Sequence, residues 1–333
     1  MQKGAANWNR PGRSVTPIVG ESPAFKRQLS TLEDFALADA PIYVYGETGT
    51  GKELIAKTIH ALSPRARQPF IGHNCAAVPD TLVQSFWFGH RRGAFTGADR
   101  DQIGVFEAAD GGTLLLDEIS EMSPSAQTAL LRVLQEKEVT RLGDVAARRI
   151  DVRIISASNA PLDDHVDDGR FRRDLFFRLT TLRVDLPPLR ERRSDVSLLV
   201  HHFIRSYNAR TGKGIAGIEP RAMEALEAYQ WPGNVRQVES EVERACVLTA
   251  AGEEITVASL SPQVQGHRRD RPFAHAHSPE TCNGQGLPEI LAETERSLLL
   301  DALRRFNGNK TNAARALGIS RQRFSQRLRK WRL

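Results

Sequence analysis

Two segments of this chain carry residue types and spacing that can do chemistry. Gly46-Glu47-Thr48-Gly49-Thr50-Gly51-Lys52-Glu53 sets three glycines and a lysine in one short loop. About 65 residues after Lys52, the apolar run Leu114-Leu115-Leu116 ends on Asp117-Glu118. Glycines let successive backbone N–H groups close around phosphate oxygens, and a helix starting behind them adds a favourable dipole. In such a site Lys52 reaches the β- and γ-phosphates, and Asp117 holds Mg²⁺ directly or through water. Glu118 polarises the attacking water. An acidic strand end is a weak signal alone, but the pair in this order points to hydrolysis of ATP. The usual hydroxyl after the lysine is replaced by Glu53, so magnesium must rely less on that position.

The elements that must position these residues are legible in outline. Pro41 to Tyr45 is a short β-type run leading into Gly46, and Glu53 to Leu62 reads as a helix with Leu54, Ile55, Thr58 and Ile59 on one face. Gly112 to Leu116 and Val152 to Ile155 have related strand patterns, with a helical stretch from Ser123 to Gln135 between them. Strands alternating with helices predict an α/β unit: a parallel sheet covered on both faces. After Leu186-Pro187-Pro188-Leu189 the pattern is helical to about Ala250, with segments Asp195 to Thr211, Pro220 to Tyr229 and Asn234 to Leu248. Ser261 to Leu287 is rich in Pro, His, Gly, Gln and Ser and reads as a linker. Gly169 to Arg178 sets arginines, among them Arg172 and Arg178, beside aromatics. One arginine brought to a γ-phosphate stabilises transition-state charge, whereas a solvated helix face is the plain alternative.

Composition narrows the classes. The 333 residues are 40% apolar and 26% charged, ordinary for a globular protein. No apolar run approaches the roughly 20 residues that span a bilayer, and the first residues lack a signal-peptide core. Three cysteines without metal-ligand spacing suit a reducing cytoplasm. From Ala302 to Leu333 there are ten Lys or Arg and no Asp or Glu, although the net charge of the chain is only +6. The first 301 residues therefore hold 36 basic against 40 acidic residues, and nucleic acid is expected at the basic C-terminal end. There, Lys310 to Leu328 reads as helix, turn, helix. Thr311 and Ser320 are candidate caps, Gly318 makes the turn, and Ala313, Ala314, Leu317, Ile319, Phe324 and Leu328 supply a small core. Arg321, Gln322, Arg323, Ser325 and Gln326 lie near the start of the second helix, where major-groove contacts belong. The preceding stretch Glu289 to Phe306 carries Leu298, Leu299, Leu303 and Phe306, either a dimerisation face or ordinary core.

On these motifs the chain resembles the bacterial enhancer-binding proteins, AAA+ activators of sigma-54 RNA polymerase. The resemblance runs from about Ile18 to Leu248, with a separate Fis-type match from about Pro288 to Leu333. It rests on the loop Gly46 to Glu53, Asn74-Cys75-Ala76-Ala77, Gly93-Ala94-Phe95-Thr96-Gly97-Ala98, Gly111 to Glu118, and Trp231-Pro232-Gly233-Asn234-Val235-Arg236. The family also has Glu after the loop lysine. The resemblance implies an AAA+ P-loop core with a helical lid and a C-terminal helix-turn-helix, divided as leader 1–16, α/β subdomain 17–185, lid 186–260, linker 261–287 and DNA-binding domain 288–333. It implies that Asn74 is a switch residue pairing with Glu118, Asn159 the first nucleotide sensor and Arg236 the second. Arg172 and Arg178 match fingers that reach the ATP of a neighbouring subunit in a homo-oligomer, from dimer to hexamer.

Gly93 to Ala98 resembles the loop that touches sigma-54, with Phe95 and Thr96 as its exposed tip. A solvent-facing Phe suits docking on another protein. The resemblance thus implies a cytoplasmic activator that binds enhancer DNA and uses ATP hydrolysis to remodel the sigma-54 RNA polymerase holoenzyme. A DNA-binding AAA+ repressor without remodelling, or an AAA+ ATPase acting on another target, stands as the alternative. With the ATPase match beginning near Ile18, no N-terminal receiver domain is expected ahead of it in this sequence. The chain also departs from the family pattern. Where Ser-Glu-Leu-Phe-Gly-His-Glu is common, it has Ser85-Phe86-Trp87-Phe88-Gly89-His90-Arg91, and Asp144 replaces a usual Gly after Arg141-Leu142-Gly143.

Overall fold

A computed structural model describes residues 17–266, residues 299, 310, 312 and 314, and residues 321–330. The leader 1–16, the expected linker from 267 onward, the turn at Gly318 and the caps Thr311 and Ser320 lie outside the described residues, as does all of Glu289 to Phe306 except Leu299. The chain divides into two compact units, Met1–Arg268 and Arg269–Leu333.

Along the first unit, α1 (Pro23–Leu29) starts at Ser22, whose hydroxyl accepts the Phe25 N–H, with Pro23 supplying a preset φ at the first helical position. It is followed by α2 (Leu32–Leu37), β1 (Ile42–Tyr45), α3 (Lys52–Leu62), β2 (Phe70–Asn74) and α4 (Asp80–Phe88). A short antiparallel ribbon comes next, β3 (Gly89–His90) with β4 (Gln102–Ile103), then α5 (Val105–Ala108), β5 (Thr113–Asp117) and α6 (Pro124–Glu136). A second ribbon pairs β6 (Glu138–Val139) with β7 (Arg148–Arg149) and leads into β8 (Arg153–Ser158), α7 (Leu162–Asp167), α8 (Arg173–Leu179) and β9 (Leu182–Asp185).

Five strands form one parallel sheet in the order β2-β5-β8-β1-β9. Alternation along each strand sends side chains to opposite faces. On β5, Leu114 and Leu116 enter a core with Trp87, Phe106, Leu130, Leu175 and Leu179. Leu115 faces the other way, among Phe25, Leu32, Ile55 and Ile59. The sheet is buried on both sides, as a parallel sheet requires. Its order sets the C-terminal ends of β1, β8 and β5 side by side, so Gly46, Asn159 and Asp117 share one edge of the sheet, the usual place for a ligand in such folds.

The rest of the unit is helical: α9 (Ser194–Thr211), α10 (Pro220–Ala228) and α11 (Asn234–Leu248), with a two-residue parallel pairing of β10 (Gly217–Ile218) and β11 (Glu254–Ile255) that the sequence pattern does not reveal. A further turn, α12 (Pro262–Gln265), buries Val264 in the same core. Ser261 to Gly266, whose composition reads as linker, thus pack with the helices. Trp231 anchors this core: it is buried, its indole N–H donates to the Leu226 carbonyl at 2.8 Å, and Tyr229 meets its ring edge-on. Trp231→Ala should destabilise the protein by about 3–5 kcal/mol, read as a lower denaturation midpoint. A loss below about 1 kcal/mol would deny it that role.

In the second unit the helix Arg321–Lys330 buries Phe324 and Leu328 and exposes Arg321, Arg323, Gln326 and Arg327. Leu299 and Ala314 are also buried. Phe324 and Leu328 thus form one apolar stripe, with Arg323 and Gln326 projecting away from it and Arg321 exposed beside it at the start of the helix.

Candidate functional site

The loop between β1 and α3 is held in a shape that glycine permits. Gly49 has φ 80° and Gly51 φ 104°. A side chain at Gly49 would strike the Gly233 carbonyl, so the loop and the helical subdomain touch at this point. Lys52 is buried, and its Nζ donates to the carbonyls of Gly46 at 2.7 Å and Glu47 at 3.2 Å. Burial pushes its ammonium below its usual pKa, and the carboxylates of Asp117 and Glu118 oppose that shift. The lysine and the acidic strand end therefore act on one another across the edge of the sheet. Thr50 is buried and donates to the Glu47 carbonyl at 2.7 Å. Glu53 faces solvent and pairs with Lys57 at 2.7 Å, so its side chain does not enter the site.

At the end of β5, the Oδ1 of Asp117 accepts the Glu118 N–H at 3.0 Å. Glu118 itself sits in the left-handed region at φ 53°, a conformation that costs about 1–3 kcal/mol and clusters where function requires it. Asn74 is paired in register with Asp117, but its Oδ1 accepts the Ala76 N–H at 2.8 Å. No Asn74–Glu118 hydrogen bond is formed in this structure; the Ala76 turn engages only the amide oxygen, and the Nδ2 donor that a carboxylate would accept from is not used by it. Asn159 follows β8 directly, next to Ser158, whose carbonyl accepts the Gly46 N–H at 3.2 Å. Cys75 and Cys246 are free and buried, and burial pushes the Cys75 thiol up to about 12. Cys282 lies outside the described residues.

Among the described residues no three His, Cys, Asp or Glu side chains converge on a metal. That suits Mg²⁺, which keeps much of its water and is held by one or two carboxylates plus substrate phosphates. Asp117, with Oδ2 outside the Glu118 hydrogen bond, offers the hard oxygen such an ion takes.

The helical subdomain grips the loop at four successive residues. Arg190 makes a fork on the Glu47 carboxylate, with nitrogen–oxygen distances of 2.6 and 2.8 Å. That contact holds the Glu47 carboxyl below its usual range. The Asn234 Nδ2 reaches the same carboxylate at 3.2 Å and the Thr48 carbonyl at 3.0 Å, while its Oδ1 accepts the Leu189 N–H at 2.7 Å. The Arg236 N–H meets the Gly49 carbonyl at 3.3 Å, and buried Arg192 donates to the Thr50 carbonyl at 3.1 Å. Asn234 is fully buried at φ 50°. Arg190, Arg192 and Asn234 were not singled out from sequence. Asn234 stands inside the Trp231 to Arg236 motif, and the run Leu189-Arg190-Glu191-Arg192-Arg193 was the only other signal.

Neither candidate finger contacts the loop of its own chain. Arg172 forks onto Asp174 at 2.7 and 3.0 Å. Arg178 is exposed and lines a cleft of about 370 Å³ with Asp39, Lys137, Phe177 and Thr181. The hexapeptide Gly93 to Ala98 caps the β3–β4 ribbon, closed by Gly93 N–H to the Ala98 carbonyl at 2.9 Å, with Gly93 at φ 82° and Gly97 at φ 99°. Phe95 is 40% exposed and stands edge-on to His90, and Thr96 is exposed. Ala98, by contrast, is buried and belongs to the base of the loop.

A parallel sheet with this strand order, a glycine loop entering a helix and an acidic strand end beneath a helical lid together define an AAA+ P-loop ATPase. Residues 18–185 match the sigma-54 interaction domain, residues 190–276 the AAA+ ATPase lid domain and residues 290–331 the Fis family of bacterial regulatory proteins. The chain belongs to the family of sigma-54-dependent transcriptional regulators. It is 44% identical over 319 residues to the transcriptional regulatory protein XylR of Pseudomonas putida, covering 94% of this chain and 56% of that protein. To the transcriptional regulatory protein ZraR of Klebsiella oxytoca it is 44% identical over 311 residues, covering 93% and 68%. The chain thus spans between about half and two thirds of these relatives' lengths. The crystal structure of NtrX from Brucella abortus with ATP superposes with a TM-score of 0.69 at 31% identity, covering 96% of this chain and 70% of that one. The ADP complex of the same protein gives 0.70 at 32% identity, covering 94% and 68%.

Proposed function

We propose that this protein is a cytoplasmic activator that sits on enhancer DNA through its C-terminal helix and drives sigma-54 RNA polymerase with ATP hydrolysis in a ring, a hexamer by family resemblance. The observation that carries this reading is one structural unit holding both an ATP site and an exposed aromatic tip on a glycine-hinged loop. Backbone N–H groups of Gly46 to Gly51 and the Lys52 ammonium would bind the phosphates, with Asn159 and Arg236 sensing them. Mg²⁺ beside Asp117 would neutralise phosphate charge. Glu118 would take the proton of the attacking water, and Arg172 or Arg178 would arrive from the next subunit. Phe95 and Thr96 would meet sigma-54, while Arg321, Gln322, Arg323, Ser325 and Gln326 would meet the major groove. The domain division at 185, 260 and 287 is proposed with this reading, its lid extended to Gly266. No helix among the described residues is long and apolar enough to cross a membrane, in keeping with a DNA-bound role.

The test is open-complex formation at a sigma-54 promoter by the intact chain and by Thr96→Ala. The variant should hydrolyse ATP within about twofold of the parent and lose activation by at least about tenfold, since a tip contact removed from a complex costs on the order of 1–2 kcal/mol or more. Full activation by Thr96→Ala would remove the loop from the contact. An intact chain that hydrolyses ATP and binds DNA but activates nothing would favour the repressor reading.

A further inference from the structure

Two positions that depart from the family pattern, Arg91 and Asp144, lie 53 residues apart in sequence and meet in the structure. The Arg91 Nε donates to Asp144 Oδ2 at 2.9 Å, and its Nη1 donates to Asp101 Oδ2 at 2.6 Å. Each carboxylate uses its other oxygen to fasten its own stretch of backbone. Asp101 Oδ1 accepts the Arg92 N–H at 2.8 Å, at the root of the hexapeptide loop. Asp144 Oδ1 accepts the Val145 N–H at 2.9 Å, at the tip of the β6–β7 ribbon. One guanidinium therefore spans two loops, each already ordered around the acid it touches. The backbones meet at the same place: Arg91 N–H donates to the Leu142 carbonyl and Leu142 N–H to the Gly89 carbonyl, both at 2.9 Å. A methyl group at Gly143 would lie 2.9 Å from the Ala94 Cβ, so the second turn is seated against the hexapeptide itself.

A glutamate at 91 would face Asp101 and Asp144 and repel both. A glycine at 144 would leave Arg91 without its partner on the second ribbon. The two departures are thus mutually dependent, which neither shows alone. The hydrogen bonds from Arg92 and Arg91 hold Asp101 ionised below its usual range, and those from Ala146 and Arg91 do the same for Asp144. The charges persist through neutral and mildly acidic pH.

We propose that Arg91, Asp101 and Asp144 form a brace that makes the hexapeptide loop and the turn of the second ribbon move as one body, with Arg91 a positioning residue for the presentation of Phe95 and Thr96. The brace rests on the proposed remodelling function only for its consequence, not for its existence. The experiment compares Arg91→Glu, Asp144→Arg and the double exchange in the full chain, by hydrogen exchange across residues 91–101, by ATP hydrolysis and by open-complex formation. Each single exchange should speed amide exchange in the loop about tenfold and lower open-complex formation by a similar factor, with ATP hydrolysis within about twofold. The double exchange restores an opposite-charge pair between residues 91 and 144 but leaves a glutamate at 91 against Asp101, so it should recover part of the loss made by Arg91→Glu. Single exchanges that leave loop exchange unchanged, or a double exchange no better than Arg91→Glu alone, would overturn the brace. If the unaltered chain forms no open complex, the functional reading fails, and the exchange rates alone still decide the brace.

Discussion

Glu118→Gln should bind ATP as tightly as the parent chain and hydrolyse it about 10²–10⁴-fold more slowly, the range a positioned general base contributes. The substitution keeps the shape and the left-handed backbone, and removes only the capacity to take a proton. Asp117 keeps its hydrogen bond to the residue-118 N–H, so the end of β5 stays in place. Single-turnover hydrolysis alongside equilibrium nucleotide binding separates the two effects. Glutamine hydrolysing within tenfold of glutamate would assign the base elsewhere. Equal loss of binding would mean that Glu118 shapes the site and does not act on water. The strain at φ 53° favours the first outcome, because a purely structural position would be occupied more cheaply by glycine.

Arg172→Ala and Arg178→Ala test the shared site. Both side chains are exposed, and neither contacts the phosphate loop of its own chain. Loss of the residue that completes a neighbour's site should lower hydrolysis by about 10³–10⁵ while leaving ATP binding intact. Mixing supplies the decisive control. Lys52→Ala chains lack a working loop but carry intact arginines, and Arg178→Ala chains have the reverse defect. If the chains assemble in the proposed ring, mixing creates interfaces where an intact loop faces an intact arginine, and there activity should return. Mixtures as inactive as their components would place the arginine in cis. If neither arginine variant loses activity, the solvated-helix-face alternative stands, with the ion pair of Arg172 to Asp174 serving only that surface.

Much of this site is legible in sequence because it is local. The glycines, Lys52 and the strand that feeds them are contiguous, and the same holds for Leu114 to Glu118. Contacts between distant segments are less legible. The Arg190–Glu47 fork joins residues 143 apart, and nothing in either segment names its partner. The Asn74 oxygen closes a turn on the Ala76 N–H, a contact set by local geometry that residue type alone does not announce. Pairing of β10 with β11 involves only two residues on each side, too few for periodicity to register. Ser261 to Gly266 read as linker from composition, because a single apolar residue, Val264, decides that they pack. Arg91 and Asp144 were each visible as departures, but their compensation appears only when the two ribbons are seen side by side.

The grip of the helical subdomain on Glu47, Thr48, Gly49 and Thr50 has a thermodynamic consequence. If nucleotide in the loop biases the orientation of the subdomain, then anything that fixes that orientation must bias nucleotide affinity by the same factor. An adjoining protomer leaning on α9 or α11 would therefore retune ATP affinity without touching a phosphate. Occupancy around an assembly would then be set by neighbours as much as by concentration.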